Sequence, residues 1–141
     1  MFAISYFDGQ KLFLARDDIG KKPLFYTIQN NTLIFASEIK SILGHIHKTK
    51  ISKEGLNGYF GFMSTVAPYT IYEGILKLSP GEYLEFDGRD TRLVRFSSVL
   101  ESIYDGGDES YCKEKTRERF FEGVGLRLCG DVEIGSLLSG G

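Results

Sequence analysis

Residues 131–141, Asp-Val-Glu-Ile-Gly-Ser-Leu-Leu-Ser-Gly-Gly, carry the clearest chemistry in this sequence: an apolar run that ends on Leu138, Ser139, Gly140 and Gly141. The pattern predicts a short buried strand whose carboxyl end turns into a phosphate-holding loop, because open α/β sheets place their binding crevices at such strand ends. Glycine suits that loop. Without a Cβ, its N–H can approach phosphate oxygens and its backbone can take the left-handed dihedrals of an anion-binding turn. The helix whose positive dipole end would complete the site lies beyond Gly141, so the segment reads as the first half of a site in a chain fragment.

Other reactive residue types read as structural. Arg16-Asp17-Asp18 has the makings of an ion-paired catalytic cluster, yet aspartates beside Ile19-Gly20 and Pro23 serve turn chemistry. Ser37-Glu38 reads as a helix cap with a first-turn acid. His45 and His47 alternate so that both imidazoles could share one side of a strand, but zinc wants three or four ligands and no third is near. They are read as loop residues. Cys112 and Cys129, the only thiols, have no neighbouring histidine to lower their pKa and read as reduced, small apolar core residues. No catalytic residue and no metal ligand is assigned within the chain.

The bulk composition excludes several classes. With 42% hydrophobic and 26% charged residues, a folded core is expected rather than disorder. A net charge of -2 supplies no basic field for nucleic acid. No apolar stretch is long enough for a membrane span and Met1-Phe-Ala-Ile-Ser lacks a signal peptide's charged front, so a cytoplasmic location is expected.

The elements that must position these residues follow from local pattern. Residues 2–7 and 11–15 read as strands joined by Asp8-Gly9-Gln10, and residues 24–28 and 32–35 as a second pair turning at Gln29-Asn30-Asn31. Ser37 is expected to cap a helix carrying Ile39, Ile42 and Leu43. Ser52 is expected to cap another with Leu56, Tyr59 and Phe60 as its apolar stripe, at a cost of about 1 kcal/mol for each of Gly55, Gly58 and Gly61. Residues 63–80 read as an irregular, half-buried loop, and 83–86 with 91–96 as a hairpin across Asp87-Gly88-Arg89-Asp90. The polar, glycine-rich stretch 104–110 marks a boundary near residue 100. A helix is expected over 110–128 with Phe120, Phe121, Val124 and Leu128 on its apolar side and a mixed-charge solvated face from Lys113 to Arg119.

Taken in order, Leu14-Ala-Arg-Asp-Asp-Ile-Gly-Lys-Lys-Pro-Leu-Phe-Tyr26, Phe35-Ala-Ser-Glu-Ile-Lys40, Leu78-Ser-Pro-Gly-Glu-Tyr83 and the terminal run 131–141 resemble glutamine-hydrolysing asparagine synthetases. The resemblance implies an α+β architecture: residues 1–100 as the carboxyl part of an N-terminal-nucleophile (αββα) glutaminase domain, then residues 101–141 as the first helix and strand of an α/β ATP-pyrophosphatase domain. It implies an intact enzyme that hydrolyses glutamine, passes ammonia to a second site and amidates aspartate with ATP, giving asparagine, glutamate, AMP and pyrophosphate. The implied small molecules are glutamine, aspartate and ATP, with Mg2+ in the intact enzyme, which also admits a homodimer; neither nucleic acid nor membrane is implied.

Within the family's Ser-Gly-Gly-x-Asp-Ser loop, Ser139, Gly140 and Gly141 match the first three positions, and Leu138 matches the preceding position that contacts ATP. The metal-binding aspartate position falls beyond Gly141. The family's glutaminase nucleophile is a cysteine at the mature first residue, aided by its own α-amino group, whereas this sequence begins Met1-Phe2. The resemblance therefore implies no glutamine hydrolysis from these 141 residues alone. Two alternatives remain open: a β-lactam synthetase-like or other acyl-adenylating amidotransferase, and a noncatalytic binding scaffold on the same fold.

Overall fold

Short turns built on aspartate and asparagine organise the sheets. The computed structural model describes residues 1–46, 48–99, 106–138 and 140. In it β1 (Ala3–Phe7) and β2 (Leu12–Arg16) form a hairpin closed by Asp8, whose carboxylate accepts from the N–H groups of Gln10 at 2.8 Å and Lys11 at 2.7 Å. The hairpin of β6 (Glu82–Phe86) and β7 (Thr91–Arg95) repeats the device, with Asp87 accepting from Arg89 at 2.9 Å and Asp90 at 2.8 Å. Between β3 (Phe25–Gln29) and β4 (Thr32–Ala36), Asn30 and Asn31 both take left-handed dihedrals, φ 49° and 58°. Asparagine tolerates that region, and two such residues match the twist of a two-residue hairpin.

Two antiparallel sheets result, ordered β1-β2-β6-β7 and β4-β3-β5, where β5 is Leu76–Lys77. Period-two alternation sends Leu14 of β2 and its partner Leu84 of β6 to one face, where they join Leu24, Tyr26, Leu78 and Phe86 in one core drawn from both sheets. Full burial of each leucine contributes about 2 kcal/mol. The opposite face of the four-stranded sheet carries a row of rings, Tyr6–Phe13, Phe13–Tyr83 and Tyr83–Phe96, with centroids 6.3, 6.4 and 6.5 Å apart. The expected half-buried loop over 63–80 contains β5, which pairs with β3, and Thr70, whose hydroxyl donates to the carbonyl of Ile75 at 2.7 Å.

The helices depart from expectation in instructive ways. In α1 (Ile39–Leu43) the N-cap is Glu38, with no side-chain cap bond, so Ser37 does not serve as the cap. Ile42, fully buried, anchors that helix by packing instead. In α2 (Lys53–Phe62), Ser52 caps as expected: its hydroxyl accepts from the Gly55 N–H at 3.0 Å. The anticipated stripe of Leu56, Tyr59 and Phe60 is exposed, and the residue that α2 buries is Gly55, pressed against Thr70. Ser52→Ala is expected to cost about 1 kcal/mol. Ser37→Ala should stay within about 0.5 kcal/mol. Urea midpoints for both variants check the pair, and equal losses would reject this assignment of the caps.

The chain divides into two units, Met1–Ile103 and Tyr104–Gly141. In the second, α3 (Glu109–Gly125) starts at Asp108, whose carboxylate accepts from Tyr111 N–H at 2.8 Å. Its surface carries ion pairs Lys113–Glu109 at 2.5 Å, Lys115–Glu118 at 2.6 Å and Arg119–Glu122 at 3.0 Å. Phe120, Phe121, Val124 and, after the helix, Leu128 are all exposed. So are Cys112 and Cys129, which corrects their reading as core residues. The reason is physical: none of the described residues 106–138 of this unit is buried, so within the unit the apolar helix face finds no packing partner.

Candidate functional site

Residues 131–138 form no strand, and Leu137 and Leu138 are 103% and 96% exposed, so the anticipated buried strand is absent. A lone strand cannot satisfy its own backbone: its N–H and C=O groups need a neighbouring strand, and none is described in this unit. Ser139 and Gly141 lie outside the described residues, and so does His47. Gly140 takes a left-handed φ of 77°, with nothing within 4 Å of where a Cβ would stand. That backbone conformation and that open space are what a close phosphate contact needs. Leu138, 96% exposed, is displayed rather than built into a cleft. No group of three or more His, Cys, Asp and Glu suited to a metal occurs among the described residues.

Residues of two other motifs, 14–26 and 78–83, converge on one polar knot in the first unit. Arg16 at the end of β2 is buried, and its guanidinium donates to the carbonyls of Lys22 at 2.8 Å, Leu78 at 2.6 Å and Gly20. Asp17, also buried, accepts from the N–H groups of Phe2 at 2.5 Å, Gly20 at 2.7 Å and Ile19 at 3.1 Å. Its own carbonyl accepts from Gly81 at 3.0 Å. One arginine and one aspartate thereby tie together the start of β1, the turn 17–22 and the segment 78–81. Their structural reading holds, since every polar atom points at backbone rather than at an open cleft. Sequence reasoning missed that Leu78 and Gly81 share this knot; the only sequence signal was Pro80-Gly81, a turn pair with no indication of its partner.

Electrostatics follow the packing. Burial pushes the Arg16 guanidinium below its ordinary pKa, with neighbouring Asp17 opposing. Lys77 is likewise lowered, by burial and then by the Arg16 charge. For Asp17, burial alone would raise the carboxyl, but the N–H donors of Phe2, Gly20, Ile19 and Lys21 together outweigh it and leave the pKa lowered. Backbone donors likewise lower Asp8 and Asp87. The unfolded chain then binds more protons than the native one at acid pH, so stability is fully present above about pH 4 and is lost as pH falls through the lower native values. Acid titration followed by circular dichroism checks this: Asp17→Asn should flatten the loss below about pH 4, and an unchanged slope would reject the role given to Asp17.

Residues 1–97 match the glutamine amidotransferase domain family. Over 100% of its length the chain is 34% identical to asparagine synthetase [glutamine-hydrolyzing] 3 of Bacillus subtilis, covering 24% of that protein. It is 34% identical to putative asparagine synthetase [glutamine-hydrolyzing] 2 of Methanocaldococcus jannaschii, again over 100% of the chain and 28% of the relative. Amidase chry2 of Gibberella zeae is 32% identical over 94% of the chain and 20% of its own length. The chain thus spans about a quarter of the length of the curated relatives it matches. Among the described residues no helix is long and apolar enough to cross a membrane.

Proposed function

The chain belongs to the glutamine amidotransferase domain family, and from that premise we propose that it is part of a glutamine-hydrolysing, ATP-dependent ligase of the asparagine synthetase type. One observation carries this reading: similarity to two synthetases runs through the whole chain, past residue 97 where the amidotransferase match stops and into the second unit. On this reading the two antiparallel sheets with their shared core are the carboxyl part of an αββα glutaminase domain, and residues 101–141 open an ATP-pyrophosphatase domain.

The roles of this chain's residues divide accordingly. The Arg16–Asp17 knot holds the start of β1 and the 78–81 segment rigidly in the glutaminase part. In the second part Leu138 would line the nucleotide, while Ser139, Gly140 and Gly141 would turn backbone N–H groups toward phosphate; Gly140 supports this through its left-handed φ. ATP held there, with Mg2+ balancing its charge, would pass its adenylyl group to a carboxylate and release pyrophosphate, and AMP would then be the group that ammonia displaces. Preorganised N–H donors stabilise charge on the leaving pyrophosphate without needing to reorient.

The test uses the polypeptide that carries this sequence. Gly140→Val, which no longer tolerates the left-handed turn, is expected to lower pyrophosphate release about 100-fold while leaving glutamine hydrolysis intact. Residues 1–141 alone should release no ammonia from glutamine. Unchanged pyrophosphate release in the variant, or ammonia from the 141-residue chain above a denatured control, would overturn the proposal.

A second reading is admitted because the relatives of this chain are not all synthetases, one at 32% identity being named an amidase. It keeps the amide chemistry and changes the carboxylate acceptor, as a β-lactam synthetase-like enzyme would. Pyrophosphate release stimulated by aspartate selects the first reading; release with another carboxylate selects the second. No release with any carboxylate, beside an intact fold, leaves the noncatalytic scaffold.

A further inference from the structure

No further inference is drawn: the strongest candidate, the aromatic row Tyr6–Phe13–Tyr83–Phe96 on the outer face of the four-stranded sheet, is an unpartnered apolar face, and nothing in the structure shows what covers it.

Discussion

Gly81→Ala is expected to destabilise the protein by about 2–5 kcal/mol, combining a left-handed residue with a Cβ at about 1–2 kcal/mol and overpacking at about 1–3 kcal/mol. Gly81 has φ 68°, and a Cβ there would stand 2.0 Å from the carbonyl oxygen of Ser97. Neither strand can withdraw easily. The Gly81 N–H donates to Asp17 at 3.0 Å, and its carbonyl accepts from Phe96 at 2.9 Å and Ser97 at 3.3 Å. A contrast within α2 separates close approach from intrinsic propensity. At Gly55 a Cβ would lie 1.9 Å from the Thr70 carbonyl oxygen, whereas at Gly61 nothing stands within 4 Å. Gly61→Ala should therefore stabilise by about 0.5–1 kcal/mol. Gly55→Ala should destabilise by about 1–3 kcal/mol despite the same gain in helix propensity. Urea midpoints followed by far-ultraviolet circular dichroism measure all three, and a Gly81→Ala midpoint within error of the parent would sink the claim of close backbone approach.

Arg16→Ala is expected to cost about 3–5 kcal/mol, because hydrogen bonds to a charged group contribute about 1.5–3 kcal/mol each and the abandoned Leu78 carbonyl stays buried. The carbonyls bound by the guanidinium belong to Gly20, Lys22 and Leu78, on two chain segments that it bridges. Arg16→Lys should recover less than half of the loss. A single ammonium on a flexible stem does not reproduce a rigid planar fork of donors. Hydrogen exchange adds a readout specific to the knot: the Gly20 and Gly81 amides, which donate to Asp17, should lose protection before those of the β6–β7 hairpin. Equal stability of the lysine and parent proteins would show that the charge alone matters, and uniform loss of protection would show that Arg16 does not act through these segments.

How much of this was legible in advance depended on the range of each interaction. The hairpins at Asp8 and Asp87 were readable because a carboxylate closes each turn within three positions, and the one at Asn30-Asn31 because asparagine itself takes the left-handed dihedrals the turn needs. The Ser52 cap was readable for the same reason, its hydroxyl meeting an N–H three residues on. Ser37 looked equivalent and was not used, since α1 is held by the burial of Ile42 against the fold rather than by a local bond. The same limit explains the α2 stripe. Helical spacing shows which residues share a face, not whether anything covers that face, and here the covered residue is a glycine.

By itself the sequence determined the turn-closed hairpins, the charged helix α3, the structural role of Arg16 and Asp17 and the family the chain belongs to, because each rests on residues near one another or on motifs in order. Only the tertiary structure decided that β5 completes a sheet with β3, that Arg16 holds the Leu78 carbonyl 62 positions away, and that Gly55 and Gly81 admit no side chain. It also decided that 131–138 form no strand. A strand, a buried cation and a close backbone crossing each exist only when a distant segment supplies the partner, and local pattern carries no record of which segment arrives.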